Sequence, residues 1–168
     1  MTTSLPNEDL PLTIREAEPA DLDVIVEFNL RLATESENKV LDRELVTKGV
    51  AALLRDSAKG RYFVAEAEGE IVGQIMHTRE WSDWRNGDIW WLQSVYVAAP
   101  FRRRGVFRRL FLHLWEEADR SPDVVGIRLY VEADNQAAQN TYRDLGMNRP
   151  GYFVMERFRQ GADIHHAD

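Results

Sequence analysis

The 168-residue sequence contains no cysteine, and this absence excludes several classes of chemistry. Without thiols there are no disulfides, no metal sites built on thiolates and no cysteine nucleophile. Long apolar runs are also lacking, since no stretch approaches the roughly 20 residues that a membrane-spanning helix needs. The sequence shows neither a signal-peptide pattern nor an internal repeat, so we expect a cytoplasmic protein.

Positive charge is in deficit, with 21 Lys and Arg against 28 Asp and Glu, which gives a formal net charge of −7. An acidic protein is a poor general partner for nucleic acid or anionic membranes, so we expect neither. A hydrophobic content of 44% is typical of one globular domain of this length. We expect a tail over residues 1–11, a domain over 12–160 and a second tail over 161–168.

The four histidines are few and scattered. His77 lies in a predicted strand and is expected to be structural, while His113 is expected at the surface of a helix. His165 and His166 fall in the C-terminal tail. None has a partner at metal-ligand spacing, so we expect no metal site.

Apolar periodicity predicts the element order β-α-α-β-β-β-α-β-α-β. Glu18-Pro19 is typical of a helix start, and Gly60 is expected to stop the second helix. Asn86-Gly87 predicts a tight hairpin turn, and Glu68–Glu70 a second one. The early strands are therefore expected to be antiparallel and the later β-α-β unit parallel. Other strands are predicted over 13–17, 62–66, 71–78, 92–97, 124–131 and 152–159.

The most distinctive stretch, residues 92–118, reads strand, tight turn, helix. Five arginines crowd the start of this helix, where the backbone already forms a positive end. Cations there are unfavourable unless an anion occupies the spot, and Gly105 lets the backbone approach one closely. The pattern predicts a phosphate-bearing ligand at residues 102–109; the alternative is a solvated basic face. The arginines are Arg102, Arg103, Arg104, Arg108 and Arg109.

This element order, with an Arg-Gly turn after the fourth strand, resembles the GNAT superfamily of N-acetyltransferases, in particular its bacterial single-domain members. The family's pyrophosphate motif, Gln/Arg-x-x-Gly-x-Gly/Ala, is matched at Arg102 and Gly105. Phe107 departs from it, but it falls on the apolar stripe and is expected in the core with its amide available. A second family signature, Asn-x-x-Ala-x-x-x-Tyr, is matched over residues 135–142. The resemblance covers roughly residues 12–160.

The resemblance implies the α/β (α+β) GNAT fold: a mixed, mostly antiparallel sheet of six to seven strands, with parallel fourth and fifth strands that splay apart, and about four helices. It implies acetyl-CoA (coenzyme A) as cofactor and direct transfer of the acetyl group to a primary amine of a small molecule or peptide. The cofactor-binding residues that it implies are Val95, Tyr96, Val97, Arg102, Arg103, Arg104, Gly105, Val106, Phe107, Arg108, Asn135, Ala138 and Tyr142.

Tyr142 is the expected general acid, because a phenol with a pKa of about 10 is protonated at neutral pH. The alternative is a tyrosine that only packs on the sheet. Asn135 is either a helix cap or a cofactor contact, or both. Glu80 is the first candidate for the general base, directly or through a water held by Gln93 or Ser94. The other candidates are Glu35, Glu37 and Asp83, and all of them have the alternative of being surface charges.

The residues expected on the acceptor side are Glu35, Trp81, Trp84, Trp91 and Gln93. Strand alternation places Trp90 and Trp91 on opposite faces, one of them in the core. Three rival functions stay open: a non-catalytic acyl-CoA sensor of the same fold, another nucleotide-binding α/β protein, and an interaction module that uses the tryptophan hairpin. A homodimer is possible because the C-terminal strand is an expected sheet edge.

Overall fold

Five strands form one mixed sheet in a computed structural model that describes residues 10–162. The first four strands pair antiparallel in chain order, and the last two pair parallel. The parallel pairing of β4 with β5 and the hairpin-linked early strands were therefore predicted correctly. The strands are β1 (Thr13–Glu16), β2 (Gly60–Ala67), β3 (Glu70–Ser82), β4 (Gly87–Val97) and β5 (Val124–Leu129).

Helices cover both faces of this sheet, as apolar side chains on alternating strand positions require. The helices are α1 (Leu22–Glu37), α2 (Arg43–Arg55), α3 (Val106–Asp119) and α4 (Gln136–Asp144). Helices α1 and α2 bury Ile25 and Val50 against Val64 on one face. Helix α3 buries Leu110 against Ile75 on the other. The sheet is thus the middle of three layers.

Both predicted hairpin turns are present. Glu68 and Gly69 take positive φ angles of 53° and 82°, which suits a tight turn between β2 and β3. Asn86, with φ of 49°, ends the turn before β4. Trp90 and Trp91 lie on opposite faces of β4, and Trp90 is the one in the core, with 2% of its surface exposed.

Several boundaries differ from the prediction. Helix α2 ends at Arg55, and Gly60 instead begins β2, where the carbonyl of His77 leaves no room for a side chain. Leu10 does not belong to a loose tail, because it is buried in the core beside α3. His113 is half-buried rather than at the surface, since its ring packs edge-on against Phe63 at 5.1 Å. His165 and His166 lie outside the described residues.

The predicted strand over 152–159 is wrong, and the sheet has five strands instead of six to seven. A strand needs a neighbour with which to share backbone hydrogen bonds, and no strand among residues 10–162 pairs with this segment. Its side chains stay exposed despite their apolar character. The last strand that pairs is therefore β5, at the edge of the sheet.

Candidate active site

Strands β4 and β5 pair over only part of their length. Their register runs from Asp88 opposite Val124 to Leu92 opposite Leu129, whereas β4 continues to Val97. The amide of Ala98 donates to the Val72 carbonyl at 2.9 Å, on the β3 side. Because successive residues alternate, the backbone groups of Val95 and Val97 face the opposite, open side. The parallel strands thus separate into a gap bordered by the backbone of Val95 and by the amide of Val97, whereas the Val97 carbonyl accepts a hydrogen bond from Arg102.

A β-bulge in β4 accompanies this separation. The β3–β4 register shifts between Gln74 and Met76, and Ser94 takes a positive φ of 48°. The Ser94 carbonyl accepts a hydrogen bond from Gln74 Nε2 at 3.1 Å. Gln74 Nε2 also donates to Asn29 Oδ1 at 2.8 Å, and Asn29 Nδ2 donates to the Tyr62 hydroxyl at 2.9 Å. The bulge is therefore held from beneath by a buried polar chain that reaches α1 and β2.

The helix start beside this gap offers unpaired amides. Gly105 is the residue before α3 and takes φ of +80°, with nothing within 4 Å of a Cβ added there. The amides of residues 103–108 have no acceptor in the described part of the chain; the first paired amide is that of Arg109, 3.1 Å from the Gly105 carbonyl. No side chain caps this end. Such a cluster of free amides at a helix N-terminus binds anions.

The arginines of this turn have different partners. Arg102 donates through Nε to the Val97 carbonyl at 2.8 Å and forms an ion pair with Glu35, near the end of α1. The hydrogen bond from Arg102, followed by that from the Tyr96 hydroxyl, lowers the pKa of the Glu35 carboxyl. Arg103 and Arg108 are exposed, with no described partner. Arg109 donates to the backbone carbonyls of Leu10 and Leu12, which precede β1.

Tyr142 stands against the first turn of α3. Its ring meets Phe107 edge-on, with 5.7 Å between ring centroids, and Phe107 in turn contacts Phe111. Phe107 is therefore packed toward the core, as the sequence predicts. Burial raises the pKa of the Tyr142 hydroxyl, so this phenol stays protonated at neutral pH. Its hydroxyl has no hydrogen-bond partner among residues 10–162.

Asn135 caps the start of α4. Asn135 Oδ1 accepts a hydrogen bond from the Ala138 amide at 3.0 Å, which is a standard helix cap. The capping role is therefore confirmed, and a cofactor contact of Asn135 stays a prediction. Gly146, with φ of +86°, ends this segment as expected.

Polar side chains line the sheet face that α1 and α2 leave open. The Glu80 carboxylate accepts from Arg128 Nη1 at 3.0 Å and from Trp91 Nε1 at 2.6 Å. The Trp91 ring stacks on Tyr130, with centroids 4.4 Å apart. Nearby, Gln93 Nε2 donates to the Thr78 hydroxyl at 2.7 Å. Glu80, Trp91 and Gln93 thus lie on one face of the sheet.

Arg128 and Tyr130 were not among the predicted site residues. The signal that could have found Arg128 is its position in an otherwise apolar strand, where a charge needs a partner. Tyr130 follows that strand directly, and its exposed ring has no sequence signal of its own. Gln74 was also missed, although a polar residue in a strand as apolar as 71–76 is a comparable signal.

Other predicted site residues are engaged elsewhere. The Tyr96 side chain is buried, with its hydroxyl donating to Glu35 at 2.9 Å, so only its backbone borders the gap. Glu37 pairs with Lys39 at 2.5 Å. Asp83 accepts from the backbone amide of Trp84 at 2.9 Å within the hairpin turn. The two hairpin tryptophans are exposed, Trp81 at 61% and Trp84 at 88%.

Two further observations concern residues 10–162. They contain no group of three or more histidine, aspartate or glutamate side chains arranged to hold a metal ion. Across the same residues, every helix is too short or too polar to cross a membrane.

Comparisons with known proteins agree with this geometry. The model of the acetyltransferase (GNAT) family matches residues 26–147. The crystal structure of a possible acetyltransferase from Clostridium difficile 630 is 47% identical and superimposes with a TM-score of 0.83, covering 88% of this chain and 97% of that one.

More distant structures share the fold. A ribosomal-protein-alanine N-acetyltransferase from Brucella melitensis biovar Abortus 2308 is 15% identical, with a TM-score of 0.71 over 89% of this chain and 100% of that one. An aminoglycoside acetyltransferase from an uncultured soil metagenomic sample is 19% identical, with a TM-score of 0.70 over 89% of this chain and 99% of that one. Together with the family match over most of the sequence, the split strands and the open helix start identify this chain as a member of the GNAT family of acetyltransferases.

Proposed function

We propose that this protein transfers an acetyl group from acetyl-CoA directly to a primary amine of a small molecule or peptide. The observation that carries the proposal is that a gap between two strands and a set of unpaired amides lie side by side at one end of the sheet. Strands β4 and β5 part after Leu92, and the amides of residues 103–108 are left without acceptors beside that gap. An extended ligand with a doubly charged phosphate end fits both features at once.

The basic turn is proposed to bind the phosphates of acetyl-CoA. The free amides donate to the pyrophosphate, and the bare Gly105 lets the anion approach the backbone. Arg103 and Arg108 are exposed and unpaired in the described structure, which makes them better candidates than Arg102 for the 3′-phosphate. Arg102 instead shapes the turn through Glu35 and the Val97 carbonyl.

The gap is proposed to hold the pantetheine arm. Val95 and Val97 present backbone groups there that suit the arm's amides, and their amides also suit a developing oxyanion. When bound, acetyl-CoA supplies the acetyl thioester at this point. The hydrogen bonds of Gln74 to the Ser94 carbonyl and to Asn29 fix the β-bulge at Ser94. This bulge sets the direction of the backbone groups that follow it.

Two side chains are proposed to move protons. The Tyr142 hydroxyl donates one to the departing thiolate sulfur; its raised pKa keeps that proton in place at neutral pH. Glu80 takes one from the acceptor ammonium, directly or through a water, on the face that carries Trp91 and Gln93. No residue is proposed as an acyl carrier, so transfer is direct.

The experiment is an amine-acceptor screen that follows release of free thiol from acetyl-CoA. We expect Tyr142→Phe to lower kcat about 10²- to 10³-fold while the Kd for acetyl-CoA stays within about twofold. Tyr152→Phe removes the same hydroxyl from an exposed tyrosine and serves as the matched control with unchanged kcat. Glu80→Gln should lower kcat while the Kd for acetyl-CoA stays within about twofold.

The rival with a specific supporting observation is a non-catalytic acyl-CoA sensor. It is supported by Glu80, whose two carboxylate oxygens already accept from Arg128 and Trp91. Tight binding of acetyl-CoA without thiol release for any amine would favour the sensor. A failure to bind acetyl-CoA in calorimetry, with ATP or NAD binding instead, would reject both.

A further inference from the structure

The sheet face that α1 and α2 leave open carries a row of three side chains from three neighbouring strands. Thr78 of β3 pairs in register with Trp91 of β4, and Trp91 pairs with Arg128 of β5. Register partners point to the same side of a sheet, so these three side chains lie on one face. The row lies one residue before Leu92, the last residue of β4 that pairs with β5. It therefore borders the gap that is proposed to hold the acetyl thioester.

One carboxylate and one guanidinium lie side by side on this face. Arg128 Nη1 donates to Glu80 Oε1 at 3.0 Å, and the Trp91 indole donates to the other carboxylate oxygen at 2.6 Å. Both charged side chains remain open to solvent, with exposed fractions of 35% for Arg128 and 44% for Glu80. A guanidinium often donates through two nitrogens at once, yet Nε and Nη2 of Arg128 have no acceptor among residues 10–162. Arg128 thus keeps donors for a second anion.

The charge of Arg128 is unfavourable for a simple cationic amine. The acceptor arrives as an ammonium, and in front of Glu80 it would meet the Arg128 guanidinium, a like charge at close range. Both oxygens of Glu80 also have donors already, so the proposed base has to exchange one of them. An acceptor with its own carboxylate removes both difficulties. That carboxylate accepts from Arg128 and leaves Glu80 Oε1 to the ammonium.

An aromatic surface lies beside the charged pair. The Trp91 ring stacks on Tyr130, with 4.4 Å between ring centroids and 28° between planes. Tyr130 comes two residues after Arg128 and is 59% exposed. An open aromatic ring packs well against an apolar or aromatic group. This face therefore offers an acceptor for a cation, donors for an anion and an apolar wall, all within one row of side chains and its neighbours.

We propose that the acceptor is a zwitterionic amine, namely an amino acid whose carboxylate lies close to its amine and whose side chain is apolar or aromatic. Arg128 binds the carboxylate, Glu80 receives the ammonium, and the stacked rings of Trp91 and Tyr130 contact the side chain. The two opposite charges of the ligand match the two opposite charges of this face. The use of this ligand as an acceptor rests on the proposed acetyl transfer, whereas its recognition does not.

The test measures binding without any chemistry, on the whole chain saturated with CoA, which carries no acetyl group. L-Phenylalanine and phenethylamine share the aromatic ring and the ammonium and differ only in the carboxylate. Isothermal titration calorimetry should give a Kd about 10- to 100-fold lower for phenylalanine than for phenethylamine, the factor typical of a hydrogen bond to a charged group. Equal Kd values, tighter binding of phenethylamine, or no binding of either compound would overturn the proposal.

Arg128→Gln separates recognition of the carboxylate from a purely structural ion pair. The substitution leaves the Glu80 carboxylate without its guanidinium, so we expect the order of the two Kd values to reverse in favour of phenethylamine. A structural ion pair would instead weaken both ligands alike, and an unchanged ratio would overturn the assignment. Arg120→Gln is the matched control, because Arg120 also pairs with a carboxylate, that of Glu117 at 3.2 Å, and it should keep the original ratio.

Failure of this inference is distinguishable from failure of acetyl transfer. If phenylalanine binds through Arg128 but acetyl-CoA releases no thiol, the proposed transfer fails and the site for a zwitterion stands. If phenethylamine drives thiol release and phenylalanine does not, transfer stands and the zwitterionic acceptor is overturned. Should Arg128→Gln not fold, the two Kd values of the unmodified protein decide alone.

Discussion

His77 is a fully buried histidine that no catalytic role requires. Its ring stacks on Trp90 at 3.9 Å, with 14° between planes, and both ring nitrogens lack a hydrogen-bond partner in the described structure. Burial, followed by the nearby Arg61 guanidinium, lowers its pKa to about 3. His77 is therefore neutral in the fold and remains so well below neutral pH.

This placement predicts acid sensitivity. An unfolded histidine gains its proton near pH 6.5, whereas the folded one resists it, so stability is full above pH 6.5 and falls as pH drops toward 3. The loss reaches about 2–3 kcal/mol by pH 4.5. Between pH 7 and 4.5, the free energy of unfolding measured in urea should therefore fall by about 2–3 kcal/mol less in His77→Phe than in the unmodified protein. An unchanged pH slope in His77→Phe would contradict the assignment.

Gln74 is the residue on which the bulge depends. Its amide supplies hydrogens to both Asn29 and the Ser94 carbonyl, and leucine in its place would leave those acceptors buried without donors. Gln74→Leu should cost about 1–3 kcal/mol of unfolding free energy. It should also weaken acetyl-CoA binding, because Val95 and Val97 lose their alignment. Gln136→Leu, at an exposed glutamine, is the control and should change the free energy of unfolding by less than about 0.5 kcal/mol.

At the scale of elements, two glycines predict opposite outcomes. A Cβ at Gly60 would lie 1.9 Å from the His77 carbonyl oxygen, a backbone atom that cannot move aside, and φ there is +148°. Gly60→Ala should therefore destabilise the protein by about 3 kcal/mol or more. Gly49 lies within α2 with nothing within 4 Å, so Gly49→Ala should stabilise by about 0.5–1 kcal/mol. Thermal unfolding of both variants checks the pair; similar shifts would contradict it.

Elements were predictable where a local signal specified them. The turn at Asn86-Gly87 and the apolar stripe of α3 each follow from residues a few positions apart. The segment 152–159 has an equally strong strand pattern, yet it pairs with nothing among residues 10–162. The apolar pattern of a segment indicates which secondary structure it favours. A strand also needs a neighbouring strand with which to pair, and the tertiary structure determines whether one is present. The end of α2 at Arg55 was missed for a similar reason, since Gly60 serves β2.

The whole molecule should be stabilised by the ligand that its open end is proposed to bind. A ligand at 100 times its Kd adds about 2.7 kcal/mol to the folded state. For a domain of this size that corresponds to a rise in Tm of about 5–10 °C. Acetyl-CoA should give this rise in differential scanning fluorimetry, and 3′-dephospho-CoA a smaller one. An equal rise with ATP or NAD would contradict the assignment of the gap.

Sequence motifs describe the proposed cofactor half of the site, whereas no motif describes the proposed acceptor half. Arg102 and Gly105 lie within one short stretch, and Asn135, Ala138 and Tyr142 lie within another, so a motif can describe each stretch. Glu80 finds its partners only through the register of three strands, with Arg128 lying 48 residues away in the chain. Strand register is set by the whole sheet. The sequence alone therefore could not decide which carboxylate is the general base.

The short ladder between β4 and β5 implies that a single strand has two kinds of amide. The amides of Val95 and Val97 face the gap, whereas the amide of Tyr96, between them, faces β3. Deuterium should therefore enter β4 in an alternating pattern, fast at the two valines and slow at the tyrosine. A ligand bound in the gap would protect the two valine amides and remove the alternation. Hydrogen exchange at single residues of β4 would thus report ligand binding.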